Sequence, residues 1–205
     1  MRIITIEKEN KMTTEEKYKL ARWVIRYALE NGANQASTVI FESTSSSVEV
    51  REEKIDKLEQ ANQTGMTIRL IVDKKYSAHS TNRLSNRSEL EKFIKEAIAG
   101  TRFLAEDEYR VLPDPALYYM GGGEDLRTTD PEYGNIAPAD KIAAAFATEK
   151  EVLAKDERII SVTSSYNDGT SSRVMVTSNG FEGDSSATYF GISASVSVKG
   201  RRGPA

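Results

Sequence analysis

Residues 65–73 read Gly-Met-Thr-Ile-Arg-Leu-Ile-Val-Asp, and apolar side chains recur there at every second position from Met66 to Val72. Successive side chains of a β-strand point to opposite faces, so a period of two predicts a half-buried strand. The surrounding residues 36–80 are rich in β-branched side chains, which favour strands. We predict four or five antiparallel strands over this region.

A helix is predicted on each side of this strand group. Thr13 and Glu16 have the spacing of a capping box, and the Asn-Gly pair at 31–32 ends the first helix. Asn86 and Glu89 repeat the capping-box spacing at the start of the second helix. Each helix then carries apolar residues at intervals of three and four, so each buries one face. These residues are Leu20, Ala21, Val24, Ala28 and Leu29 in the first helix, and Leu90, Phe93, Ile94, Ala97, Ile98, Thr101 and Leu104 in the second.

The second half of the chain returns to a helix followed by strands. Proline and glycine interrupt residues 113–138, which predicts a linker. A third helix is predicted over 139–155, with Ile142, Ala143, Phe146, Val152 and Leu153 buried. The strands that follow are predicted at 159–166, 172–178 and 181–198, joined by turns at Asn167-Asp168-Gly169 and Asn179-Gly180. This pattern predicts a three-stranded meander.

The separation of the two strand groups predicts an α+β fold rather than a parallel βαβ sheet. We expect helices packed on antiparallel meanders in two helix-plus-strands modules. The predicted divisions are a polar tail at 1–12, a first module at 13–112, a linker at 113–138 and a second module at 139–205. We expect the second module to be truncated.

Composition removes several classes of function. The 28 Lys and Arg and 31 Asp and Glu are interspersed and give a net charge of -3, so no basic footprint for nucleic acid is present. The chain has no cysteine, which excludes disulfides, thiolate zinc sites and cysteine nucleophiles. No apolar run approaches the roughly 18 residues of a membrane helix, and residues 1–11 are polar. We expect a cytoplasmic protein with no membrane partner.

The titratable candidates are few. His79 is the only histidine, whereas zinc sites use three or four ligands, so a surface strand histidine is the favoured interpretation. Asp107 and Glu108, with Asp114 further along, have the residue types of an acid–base pair. Adjacent carboxylates after a helix are more often solvated surface, and that interpretation is favoured here.

The remaining motifs also favour structural interpretations. Gly121-Gly122-Gly123 is followed by Glu124-Asp125 instead of the Lys-Ser/Thr of a phosphate-binding loop, so a hinge is predicted. The many serines lack a Gly-x-Ser-x-Gly elbow, and a self-sufficient hydrolase would need a nucleophile and base that the sequence does not supply. Arg201-Arg202 are interpreted as solubilising charges. No catalytic, cofactor-binding or metal-binding residue is predicted.

Several stretches in a fixed order resemble the amino-terminal half of the TldD/PmbA family. Residues 48–51, 55–59 and 65–73 are similar to the family's strand pair and its Gly-x-x-x-Arg strand. Residues 76–85 are similar to its Gly-x-Ala-x-Thr-x-x-Leu-Ser segment, although Tyr76-Ser77 stands where glycine is usual. Residues 156–159, 176–181 and 193–198 match a strand start, the Asn-Ser-x-Gly hairpin and the Ser-x-Ser-Val strand.

The resemblance implies a cytosolic peptidase in which a TldD-like and a TldE-like subunit pair and enclose a chamber for flexible peptides. The family's zinc site uses a His-Glu-x-x-x-His motif and a further cysteine. This sequence contains neither, and His79 lies outside that motif, so no zinc ligand is carried onto this chain. Zinc is implied only for the complete enzyme or its partner subunit.

Two functions are consistent with these features. The first is the amino-terminal substrate-chamber and subunit-pairing region of a zinc-dependent peptidase, truncated relative to the longer family members. Under this first hypothesis, the strand at 66–73 is a candidate for accepting an extended peptide at a sheet edge. The second is an autonomous, non-catalytic protein-interaction domain. The sequence does not identify the substrate peptide, the branch of the family or the oligomeric state.

Overall fold

A computed structural model describes residues 11–119, 121 and 125–200. It contains three α-helices and a five-stranded antiparallel sheet in the order β3-β2-β1-β4-β5, which confirms the α+β class. The elements are α1 Thr14–Glu30, β1 Gln35–Arg51, β2 Lys54–Val72, β3 Lys75–Thr81, α2 Arg87–Thr101, α3 Pro138–Leu153, β4 Ile159–Thr177 and β5 Glu182–Val198. Short 3-10 turns lie at Pro115–Leu117 and Tyr133–Asn135. Within the described residues, no helix is both long and apolar enough to cross a membrane.

The first two helices begin where the sequence predicts. Thr13 and Glu16 form a complete capping box, in which each side chain accepts the other's backbone N–H. At α2 the Asn86 carboxamide accepts from the N–H groups of Ser88 and Glu89. The predicted apolar face of α2 was one turn too long, because the helix ends at Thr101 and Leu104 beyond it is exposed.

The first strand group contains two long strands and one of seven residues, so the prediction of four or five strands is wrong. The chain reverses at Glu52-Glu53 and at Asp73-Lys74, and all four residues have positive φ. Positive φ at both central positions is the geometry of a tight hairpin turn, which usually recruits Asn or Gly. Because charged residues fill these turns, the sequence gives no turn signal there.

The strand at 66–73 does not form a sheet edge. Met66 to Val72 pair with β3 from Thr81 to Lys75, and β1 lies on the other side of β2. The backbone groups of this segment are therefore engaged on both sides. Addition of a peptide to this strand, expected above, is wrong.

The second strand group contains two strands instead of three. β4 runs without interruption through Asn167-Asp168-Gly169, so the turn predicted there is wrong. Asp168 is fully buried and Gly169 packs closely against the carbonyl oxygen of Thr44 and the ring of Tyr189. The turn at 179–180 is confirmed: Gly180 has φ +102° and the Thr177 N–H donates to the Phe181 carbonyl.

The third helix forms close to its predicted bounds, but its burial differs. Only Ala145 and Glu149 are fully buried, and Ile142, Phe146, Val152 and Leu153 are partly buried. Ala143 is exposed, so its predicted burial is wrong. The fully buried face of α3 therefore consists of one small side chain, Ala145, and the Glu149 carboxylate, which accepts the backbone N–H of Glu53.

The contacts divide the chain into two compact units. Within the described residues, the first unit comprises 11–42, 64–119, 121 and 172–185. The second unit comprises 43–63, 125–171 and 186–200. The core of the first unit combines residues of α1, α2 and the sheet, including Val24, Ile40 and Ile94. The core of the second is small and centres on Val48, Val50 and Ala145. The linear module boundaries given above stay a prediction.

Candidate functional site

His79 lies on β3, opposite Ile68 of β2. Its ring is half-buried and stands edge-on to Phe93, with 6.4 Å between the ring centroids. The Nε2 atom is buried and has no hydrogen-bond partner among the described residues. The same part of the chain contains no group of three His, Cys, Asp or Glu residues that could hold a metal ion. The surroundings of this histidine are apolar.

The predicted carboxylate candidates do not form a site. Asp107 accepts the backbone N–H of Tyr109 and lies 3.4 Å from Arg110. Asp114 accepts the N–H of Ala116 at the start of a 3-10 turn. Each of these carboxylates satisfies its own local backbone and remains exposed.

Two of the many serines have structural hydrogen-bond partners. Ser164 is buried and donates to the carbonyl of Ala145, and Ser165 bonds to Ser193 across the β4–β5 pair. Gly121 has φ +101° and open space around its α-carbon. The rest of the glycine run and Arg201-Arg202 lie outside the described residues.

A buried group of ionisable side chains surrounds Asp168 in the second unit. Lys141 of α3 places its Nζ 2.6 Å from Oδ2 and 2.9 Å from Oδ1 of this carboxylate. The Tyr133 hydroxyl donates to Oδ1 and the Tyr166 hydroxyl to Oδ2, both at 3.1 Å. Asp168 is 0% exposed and the Lys141 side chain is 13% exposed. We refer to these four residues as the Asp168 cluster.

The phenols of this cluster are hydrogen-bond donors at neutral pH. Burial, and then the hydrogen bond to Asp168, raise the pKa of Tyr166 to about 12. Burial and the charge of Asp168 also raise the pKa of Tyr133. Oδ1 therefore accepts hydrogen bonds from the Tyr133 phenol and the Lys141 ammonium, while Oδ2 accepts from the Tyr166 phenol and lies 2.6 Å from the same ammonium, so both oxygens are engaged. The cluster braces α3 against β4 and leaves no oxygen free to act as a base.

Sequence reasoning missed the Asp168 cluster for a clear reason. Asn-Asp-Gly is among the strongest local turn signals, and it was interpreted as a turn. The partners of Asp168 come from a 3-10 turn, a helix and its own strand, so only the tertiary structure brings them together. The signal available in sequence was weak: an uninterrupted run of β-forming residues on both sides.

A second candidate is an electropositive groove of about 290 Å³ in the first unit, beside α1 and the start of α2. It is lined by Glu15, Lys19, Arg22, Trp23, Arg26 and Arg87. The Arg87 guanidinium stacks 3.6 Å from the centre of the Trp23 ring. Arg22 is held by a paired hydrogen bond to Glu182 at 2.6 and 2.8 Å. The groove is open to solvent and presents several cations beside an aromatic face.

Two family models match the chain in sequence. The model for PmbA/TldA metallopeptidase domain 1 matches residues 36–100, and the model for the PmbA/TldA metallopeptidase central domain matches residues 131–204. None of the curated proteins compared with the chain matches it.

Solved structures resemble the chain over most of its length. A protein of Bacteroides thetaiotaomicron, described as a proposed modulator of DNA gyrase, is 46% identical, with a TM-score of 0.86 over 95% of this chain and 44% of its own. A protein of Thermotoga maritima with the same description is 18% identical, with a TM-score of 0.65 over 85% of this chain and 38% of its own. TldE from Thermococcus kodakarensis is 17% identical, with a TM-score of 0.68 over 84% and 39%.

The chain thus spans less than half of the length of each of these structures. The two distant structures show the fold alone, whereas the Bacteroides protein is similar in both sequence and fold. The two matched domains are consecutive domains of one family and occur here in the order that their descriptions give. The chain belongs to the TldD/PmbA family of metallopeptidases.

Proposed function

We propose that this chain is the amino-terminal scaffold of a TldD/PmbA-family peptidase subunit. In this proposal it shapes the substrate chamber for flexible peptides and pairs with a second subunit of the family, while residues outside the described chain supply the metal site. The observation that carries the proposal is the match of the family's first and central domains at residues 36–100 and 131–204. The naming of one structural relative as TldE supports the expectation of a paired subunit.

The donor set of the described residues does not fit zinc. Zinc sites in proteins combine three or four Cys, His or carboxylate ligands. The sequence has no cysteine, and its single histidine faces the ring of Phe93. No three metal-ligating residues converge within the described ranges. We therefore assign the zinc of the family enzyme to another part of the protein or to its partner and derive no chemical step from this chain.

A scaffold requires its elements to be held in fixed positions, and each unit contains a buried ion pair that does this. Lys17 of α1 lies 2.6 Å from Glu42 of β1, with the two side chains 3% and 12% exposed. The Asp168 cluster provides the equivalent contact between α3 and β4. The absence of cysteine is consistent with the reducing cytoplasm, which we propose as the location.

One observation favours the second candidate, an autonomous protein-interaction domain. Phe103, Tyr109 and Leu117, all in the first unit, are each at least 79% exposed. Large exposed apolar side chains mark interaction surfaces when they form a contiguous patch. The intact mass of the native protein separates the two candidates: the peptidase scaffold requires a species considerably heavier than 22.7 kDa, whereas the autonomous domain requires that mass.

The proposal is tested directly by mixing this chain with a TldD-like subunit that carries the metal motif. Zinc content is measured by atomic absorption, complex formation by size-exclusion chromatography, and cleavage with an unstructured fluorogenic peptide. We expect no stoichiometric zinc and no cleavage for the chain alone, and co-elution with the added subunit. His79→Ala serves as a control and should change neither zinc content nor co-elution. Stoichiometric zinc bound by the unmixed chain and lost in that variant would overturn the metal assignment, and failure to co-elute would overturn the pairing role.

A further inference from the structure

The last part of β5 is an unusual sheet edge. Residues 190–198 read Phe-Gly-Ile-Ser-Ala-Ser-Val-Ser-Val, and no charged residue or proline occurs from Ser185 to Val198. β5 is the terminal strand of the sheet on this side. Natural proteins protect long edge strands with charges, prolines, bulges or covering segments, because an open edge pairs readily with another strand. We call residues 190–198 the β5 edge.

The direction of the backbone groups follows from two hydrogen bonds. The Lys199 N–H donates to the Arg158 carbonyl at the start of β4, so odd-numbered residues of β5 face β4. The Thr188 N–H donates instead to the Thr128 carbonyl on the other side, so even-numbered residues face outward. Thr128 also donates through its hydroxyl to the Ser186 carbonyl. This segment covers only the beginning of β5.

From Phe190 onward the outward backbone groups have no strand partner within residues 11–119, 121 and 125–200. These groups belong to Phe190, Ile192, Ala194, Val196 and Val198. Their side chains share one face of the sheet, and those of Phe190, Ile192, Val196 and Val198 are between 46% and 56% exposed. The opposite face carries Gly191 and the hydroxyls of Ser193, Ser195 and Ser197.

The other open edge of the sheet is protected in the usual way. β3 is only seven residues long, and its pairing with β2 begins at Met66. The part of β2 beyond that pairing begins with Lys54 and includes Asp56, Lys57 and Glu59. Charges of both signs oppose the approach of another strand there. The two edges therefore differ, because the β5 edge lacks the charges that the exposed start of β2 carries.

We propose that the β5 edge pairs with the β5 edge of a second copy of this chain, antiparallel about a two-fold axis at Ala194. In this register Phe190 lies opposite Val198, Ile192 opposite Val196, and Ala194 opposite its own equivalent. Apolar side chains then meet apolar side chains on one face. On the other face Ser193 lies opposite Ser195. The sequence of the edge is self-complementary in this orientation, which is the requirement for a two-fold interface.

The register also satisfies the open backbone. Each of the five outward residues enters a hydrogen-bonded pair, and such a pair exchanges two N–H···O=C bonds, which gives about ten bonds across the axis. At about 3.4 Å per residue the paired segment is roughly 30 Å long. A contact of this size lies at the small end of specific interfaces, so we expect a dimer that dissociates on dilution. The inference does not depend on the proposed peptidase function.

The test is sedimentation equilibrium of this chain at protein concentrations from about 1 to about 200 µM, a range suited to a weak interface. We expect the average mass to rise from that of one chain toward that of two. Ala194→Glu and Ala194→Lys each place like charges directly opposite one another at the axis, and each variant alone should remain monomeric. Mixing the two variants should restore the dimer, because opposite charges then meet. Ala143→Glu, on the exposed face of α3, is the matched control and should dimerise like the parent chain.

Hydrogen exchange gives an independent measurement. The amides of a peptide covering the β5 edge should exchange at least tenfold more slowly at high than at low concentration. A parent chain that is monomeric throughout, or a dimer that persists in both Ala194 variants, would overturn the proposal. Failure of the mixed variants to associate would overturn the register. A monomer that binds an extended peptide or a TldD-like subunit at this edge would replace the second copy with that occupant.

Discussion

Removing the charge of Asp168 is the most direct test of the brace between α3 and β4. Asp168→Asn keeps the shape of the side chain, but it leaves the Lys141 ammonium, only 13% exposed, without its counter-ion. The two phenols of Tyr133 and Tyr166 also lose a charged acceptor. Breaking a buried ion pair from one side typically costs 3–5 kcal/mol, because the remaining charge is desolvated and unpaired. We expect a loss of about 4 kcal/mol, roughly a thousandfold in the ratio of folded to unfolded chain.

The assay is urea unfolding followed by two probes. With a slope of about 2 kcal/mol per molar urea, the expected loss lowers the midpoint by about 2 M. Far-UV circular dichroism reports on the helices and strands of both units. Fluorescence of Trp23, the single tryptophan, reports on the first unit. Comparing the two probes shows whether the loss is confined to the second unit.

The matched control is Asp156→Asn. Asp156 also lies 2.6 Å from a cation, Arg158, but both side chains are exposed to solvent. Exposed ion pairs contribute little because water screens them, so the midpoint should hardly move. If Asp168→Asn shifts the midpoint no more than Asp156→Asn does, the cluster does not act as a buried brace. Adding Lys141→Met to Asp168→Asn should recover part of the loss, since it removes the unpaired charge.

Three further expectations can be measured on the same chain. Gly169→Ala places a methyl group against a backbone carbonyl and an aromatic ring, and it should lower the free energy of unfolding in urea by about 1–3 kcal/mol. Gly191→Ala is the control and should lower it much less, because no atom lies nearer than 3.9 Å to the added methyl group. Equal losses in the two variants would contradict the close packing at Gly169. Burial raises the pKa of Tyr166 from 10.0 to about 12 in the folded chain, so its contribution to stability is complete below pH 10 and is lost as the pH rises toward 12. Tyr166→Phe should therefore reduce the fall of the unfolding free energy between pH 10 and pH 12, measured by unfolding at several pH values. The same fall in the variant and the parent chain would contradict this assignment. Asp73 and Lys74 both have positive φ, which Asn and Gly adopt with less strain. Replacing the pair by Asn-Gly should raise the free energy of unfolding by roughly 1 kcal/mol, measured by thermal unfolding. A loss of stability would show that the native turn is not strained.

Local patterns were sufficient for the helices. A capping residue fixes where a helix begins through hydrogen bonds to its own first turn, so Thr13 and Asn86 are readable without tertiary information. Apolar spacing then identifies the buried face of α1 and α2, although Leu29 is exposed, and it is less successful for α3, where Ala143 is exposed. The end of α2 was less well predicted, because Leu104 continues the apolar spacing beyond the last helical residue.

Strand boundaries depended on interactions that are distant in sequence. Glu52-Glu53 forms a turn without a turn residue, and the buried Glu149 carboxylate accepts the Glu53 N–H from another element. Asn167-Asp168-Gly169 has the opposite character, since its strong turn signal is overridden by the partners of Asp168. In both cases a tertiary contact outweighs the local preference. The candidate site was missed for the same reason, because it is built around one of these contacts.

The two buried ion pairs follow one plan. Lys17 is the fourth residue of α1 and Lys141 is the fourth residue of α3, and each pairs with a carboxylate on a strand of its own unit. A cation near the start of a helix is disfavoured by the helix dipole, typically by a few tenths of a kcal/mol. Helix formation therefore does not account for lysine at either position. The tertiary ion pair outweighs that local cost, and because its geometry is specific, it fixes the rotation and register of each helix on the strand that it contacts. A weakened Lys17–Glu42 pair should be detected by both Trp23 fluorescence and circular dichroism, and a weakened Lys141–Asp168 pair by circular dichroism alone, since each pair lies within a single unit.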